Sequence, residues 1–138
     1  MRKERKMRGF TLVELLIVLL ILGILIGLAI PRYLSALDTA KENTFCSNVR
    51  NVLSAVETWR MTTGTTAYPD TYTVNASIIS STTYFSQIPI NPYLSDNATL
   101  LTSSAPPTGA SKGYFYYDIG NVFTIPDCGL NNTATPTS

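Results

Sequence analysis

The sequence predicts an α+β chain: a long N-terminal helix, apolar in its first half and amphipathic in its second, packed on a small antiparallel β-sheet head. Three observations predict it. Residues 10–30 form an apolar run whose only charge is Glu14. Phe45, Val49, Val52, Val56 and Trp59 then recur at steps of four and three, the spacing of one helix face. Finally, Tyr114–Asp118 and Val122–Ile125, rich in aromatic and β-branched residues, flank Gly120-Asn121, a hairpin signal.

Composition narrows the chemistry before any element is placed. The 138 residues contain no His and two Cys. Zero His excludes Ser-His nucleophiles, His-ligated zinc and haem on a proximal His. Two Cys cannot fill a four-Cys zinc or iron–sulfur site. Charged residues make up 14 %, well below the roughly 25 % of ordinary soluble domains. No enzyme activity, cofactor or metal is expected.

Charge is distributed unevenly. Arg2, Lys3, Arg5, Lys6 and Arg8 stand against Glu4 in residues 1–9, whereas acids outnumber bases in the remainder. A short basic cluster abutting an apolar run reads as a signal that keeps the N-terminus in the cytoplasm. A nucleic-acid surface needs basic residues spread over a folded face with aromatics among them, and no such pattern follows, so no specific nucleic acid is expected.

Residues 10–30 would span about 31 Å as a helix, the thickness of a bilayer core. Glu14 within that span needs an explanation, because an intramembrane carboxylate near the bilayer centre costs on the order of 2.5–3.5 kcal/mol. One explanation is a place at the headgroups. Another comes from its neighbours: Gly9-Phe10-Thr11-Leu12-Val13-Glu14, with Pro31 near the end of the apolar run, resembles the N-terminus of a type IV prepilin. The resemblance covers roughly Arg8 to Tyr33.

It implies that a membrane-bound prepilin peptidase removes the leader, residues 1–9, by cutting between Gly9 and Phe10, and that the same enzyme N-methylates Phe10. It also implies a homo-oligomeric helical filament whose core is the helix of residues 10–31. There Glu14 would pair with the Phe10 amine of a neighbouring copy and set register. A buried carboxylate without a cationic partner carries a large desolvation penalty. The inner membrane before assembly, the inner-membrane pilus machinery and finally the cell surface are the implied surroundings.

A different parse would cut after Ala29, since Gly27-Leu28-Ala29 is a small-x-small triplet. Glu14 would then interrupt the apolar region, and Gly9, Phe10 and Pro31 would go unexplained. Gly23-x-x-x-Gly27 fits close helix approach in a membrane, and Pro31 lacks an N–H and clashes with the carbonyl of Gly27. Gly23, Gly27 and Pro31 therefore mark the helix's weak point. In assembled pili of the resembled family this region tends to be unwound.

Residues 32–61 continue the helix as its amphipathic half, with Leu34 and Leu37 extending the apolar stripe and Gly64 as the stop. Residues 62–138 change character: 24 of these 77 are Ser or Thr, which favours a solvated β-rich head with loops. Tyr72–Val74 and Ser77–Ile79 are weaker strand candidates, and residues 131–138 read as a loose tail. Asn75, Asn97 and Asn131 each begin a glycan acceptor triplet. In a head outside the cytoplasm Cys46 and Cys128 are expected to form a disulfide, two buried thiols being the alternative.

The expected function is a structural subunit of a type IV pilus. A pseudopilin of a type II secretion system, or a minor or competence pilin, is the alternative. A major pseudopilin would by resemblance carry an acidic, calcium-binding late loop, whereas the late acids here are Asp118 and Asp127. A single-span membrane-anchored binding domain is the reading from a different class.

Overall fold

From Leu12 to Thr63 the chain is one α-helix, α1, in the computed structural model, which describes residues 9–94, 98–103, 105, 108–109 and 111–130. The basic cluster, Asp96, Asn97, Asn131 and the expected tail lie outside the described residues. Two compact units divide at Asp38 and Thr39.

Thr11 starts α1: its carbonyl accepts from the Leu15 N–H and its hydroxyl from the Glu14 N–H, both at 3.3 Å. Gly64 stops it, adopting φ 68° just past Thr63. Between them α1 runs unbroken through Pro31. Proline removes the N–H that would otherwise bond the Gly27 carbonyl, and a side chain at Gly23 or Gly27 would meet open space. In the single chain this stretch is helical.

In the second unit, Phe45, Cys46, Val49, Val52, Ala55 and Val56 form the buried stripe of α1. Trp59 packs against the core without being buried, while Leu34 and Leu37 in the first unit are exposed. The stripe read from the sequence therefore begins its burial at Phe45. Val74, Ile78, Ile79, Leu100, Phe115, Tyr117, Val122 and Cys128 complete the core. Full burial of such a side chain contributes about 1.5–3 kcal/mol.

The two weaker strand candidates are corrected. Thr71–Thr73 is a single helical turn, α2, and Val74–Ile79 continues as a π-helix. Asp70 caps the turn, its Oδ1 accepting from the Thr73 N–H at 2.8 Å. The wide turn closes through Ser80 N–H to Asn75 O at 3.2 Å. β-Branched composition argued for strands, but Val74, Ile78 and Ile79 are all fully buried, as their i, i+4, i+5 spacing on a helix allows.

The hairpin is present: β1 (Tyr114–Asp118) pairs antiparallel with β2 (Asn121–Ile125), with Tyr116 opposite Phe123. Its turn sits one residue earlier than the sequence signal. Ile119 and Gly120 are the two turn residues, both with positive φ (43° and 85°), and Asn121 already belongs to β2. Tyr68 packs so close to Gly120 that a Cβ there would lie 3.1 Å from its ring. On the far side of β1, Ser103 bridges in parallel to Tyr116.

Candidate assembly and processing site

The N-terminal site is built by the start of α1. Gly9 and Phe10 precede the helix and are exposed, Phe10 by 86 %. A peptide bond outside regular structure is the kind a protease can draw into an extended conformation. Glu14 lies in the first turn of α1 and is also exposed. Thr11-Leu12-Val13-Glu14 has the S/T-x-x-E spacing of a capping box, and the bond from the Glu14 N–H to the Thr11 hydroxyl forms one half of it. Thr11 was not singled out from the sequence, although this spacing was the available signal.

Every large apolar side chain from Phe10 to Ile30 is between 46 and 86 % exposed. This segment has a mean hydropathy of 3.1 over 18 residues and is long and apolar enough to cross a membrane. An apolar surface this continuous is not stable in water and must be covered by lipid or protein.

The second unit carries the covalent element. Cys46 and Cys128 form a disulfide across 82 residues, with their Cα atoms 5.3 Å apart. The expected pair is thus formed. The alternative of two buried thiols does not hold in this structure.

A cleft of about 340 Å³ opens between α1 and the hairpin, lined by residues that include Leu53, Val56, Glu57, Tyr68, Tyr117 and Val122. Its charges serve structure. Glu57 pairs with Arg60 at 2.8 Å, and Arg60 also donates to the Thr66 carbonyl at 2.7 Å. The same guanidinium stacks 3.9 Å above the centre of the Tyr68 ring. Burial pushes the Tyr117 hydroxyl up to about 12, so it stays protonated across the physiological range. Burial also raises Tyr116, with the Asp118 carboxylate adding to the rise. Among the described residues no cluster of three or more His, Cys, Asp or Glu could hold a metal ion.

Asn75 does not present a free amide. Its side chain is bonded to Thr102, with Nδ2 donating to the Thr102 carbonyl.

Comparison with known proteins bears on the N-terminus first. Residues 5–30 match the model of the prokaryotic N-terminal methylation motif. The chain is 26 % identical over 103 residues to type II secretion system core protein G of Pseudomonas aeruginosa, covering 66 % of this chain and 71 % of that protein. It is 42 % identical over 48 residues to the type IV narrow pilus major component PilA5 of Thermus thermophilus, covering 35 % of this chain and 41 % of the relative. No solved structure matches. A methylation motif at the head of an apolar helix, these two relatives, and a helix-plus-hairpin fold are together consistent with a type IV pilin-like protein.

Proposed function

We propose that this chain is a structural subunit of a type IV pilus, trimmed between Gly9 and Phe10, N-methylated at Phe10 and polymerised through α1 into a surface filament. One observation carries the reading: the apolar side chains of residues 10–30 are exposed throughout, with one carboxylate, Glu14, among them. Such a segment suits two environments in succession, a bilayer and a bundle of identical helices. Removal of the basic leader eliminates the cytoplasmic anchor and creates an ammonium one turn from Glu14. In the filament Glu14 pairs with the Phe10 amine of the next copy, and Gly23, Gly27 and Pro31 form the stretch that yields as helices pack.

Partners are further copies of the chain, a prepilin peptidase that also methylates, and an inner-membrane assembly machinery. The chain uses no cofactor and carries out no reaction. The Thermus relative's name, a pilus component, supports this reading. So does the sparse set of late acids, Asp118 and Asp127.

The second reading is a type II secretion pseudopilin. It is favoured by the Pseudomonas relative, whose similarity extends over 103 residues and so beyond the N-terminal motif. Deletion in the producing organism separates the two. Loss of surface filaments with protein secretion intact supports the pilus; loss of secretion with filaments intact overturns it in favour of the pseudopilin. N-terminal sequencing of the mature chain tests processing: a start at methylated Phe10 is expected, and a start at Met1 or Ile30 excludes the whole class.

A further inference from the structure

Cys128 is held at α1 by more than its sulfur. Its carbonyl accepts from Arg50 Nη2 at 2.7 Å, and its N–H donates to the Thr124 hydroxyl at 3.2 Å. Arg50 lies four residues after Cys46 on α1, so the two occupy the same helix face one turn apart. Thr124 is 1 % exposed and fixed in β2 opposite Phe115. Neither bond involves a sulfur atom, so both can form while the cysteines are reduced.

We propose that Arg50 and Thr124 are positioning residues for disulfide formation, seating the Cys128 backbone against α1 before the two sulfurs are joined. The bond is then closed on a folded head. Joining residues 82 apart in an open chain is entropically unfavourable. A charge-assisted bond from Arg50 to the Cys128 carbonyl is among the stronger hydrogen bonds available to oppose that.

The chemistry is thiol–disulfide exchange with a small-molecule disulfide as oxidant. One cysteine thiolate attacks the oxidant's S–S bond, forming a mixed disulfide and releasing one oxidant thiolate. The second cysteine thiolate attacks the protein sulfur of that mixed disulfide. The Cys46–Cys128 bond forms, the second oxidant thiolate leaves, and the two protons lost by the cysteines are taken up by the released thiolates. The protein loses two electrons and the oxidant gains them. The second attack requires Cys128 to be held against Cys46, whereas the first depends only on how accessible the attacking thiolate is.

The test uses the full chain in detergent, reduced and then either alkylated with iodoacetamide or reoxidised with glutathione disulfide, with each cysteine followed by peptide mapping. Arg50→Ala should raise the alkylation rate of Cys128 about ten-fold while leaving that of Cys46, on the helix, unchanged. On reoxidation the glutathione mixed disulfide should accumulate because closure slows by a similar factor. Arg50→Lys, which keeps the charge, should restore part of the effect. Thr124→Val, close in shape, should shift Cys128 in the same direction as Arg50→Ala. Unchanged Cys128 reactivity in both variants overturns the proposal. So does an equal rise at both cysteines, which would make Arg50 a general stabiliser of the head.

Discussion

Asn75 and Thr102 share three hydrogen bonds: Asn75 Nδ2 donates to the Thr102 carbonyl at 3.1 Å, and Oδ1 accepts from the Thr102 N–H at 2.8 Å and its hydroxyl at 3.0 Å. One amide side chain thereby satisfies both backbone groups of a residue 27 positions away, as a neighbouring strand would. This ties the π-helix to the segment that leads into Ser103 and its bridge to β1. Asn75→Ala leaves those groups without partners, and chemical denaturation should report a loss of about 1–3 kcal/mol. Asn75→Asp keeps the acceptor and should lose less.

Ile119 sits at φ 43°, a conformation strained for a β-branched residue, and is 61 % exposed, so its side chain gains little from packing. The Ile119-Gly120 turn favours Asn at its first position. Ile119→Asn should stabilise the head by about 1 kcal/mol, measured as a higher melting temperature. A lower one would show that the side chain matters more than the backbone.

Alkali should loosen the head through Tyr117. Its hydroxyl is raised by burial to about 12, from an ordinary value of 10. The folded state therefore holds the proton more tightly than the unfolded state. This contribution is fully present below pH 10 and is lost as pH rises from 10 to 12, on the order of 2–3 kcal/mol in all. Tyr117→Phe should flatten that part of the pH–stability curve, read by denaturant midpoints at pH 9 and pH 11.5.

Gly9→Val tests the trimming site. Gly9 precedes α1, and among the described residues, its chain neighbours aside, a side chain there meets no atom within 4 Å, so the fold should be untouched. A bulky residue next to the scissile bond should instead block the peptidase. Uncut precursor in the membrane fraction is expected; mature protein in filaments would place the cut elsewhere.

Glu14→Gln preserves size and shape and removes the charge. If Glu14 neutralises the Phe10 amine of a neighbouring copy, each copy in the filament loses a buried partner, at about 3–5 kcal/mol. Trimmed subunit should accumulate in the membrane while surface filaments, counted by electron microscopy, become sparse. Normal filament yield in cells lacking the unmutated chain would remove the register role from Glu14.

Residues 10–63 and the hairpin were legible because their signals are local and repeated. The apolar run, the four-and-three spacing from Phe45 to Val56 and the stop at Gly64 are set by helix geometry within a few turns. The N-terminal motif was legible for the same reason, since Gly9, Phe10 and Glu14 lie within six residues. The Cys46–Cys128 bond was the expected pairing for a head outside the cytoplasm, with two buried thiols as the alternative, and the structure forms it.

Tertiary structure decided what depends on distant partners. Residues 71–79 have the Thr, Val and Ile content of strands, yet they coil because Asp70 caps the turn, the core takes Val74, Ile78 and Ile79 together, and Thr102 secures Asn75. The hairpin turn moved to Ile119-Gly120 because the pairing from Tyr114 with Ile125 to Asp118 with Asn121 set the register. Arg50, an ordinary exposed base in the sequence, reaches the Cys128 carbonyl 78 positions on. Propensity and periodicity describe a residue's neighbours along the chain. A hydrogen bond between residues 27 or 78 positions apart exists only once the fold has brought them together.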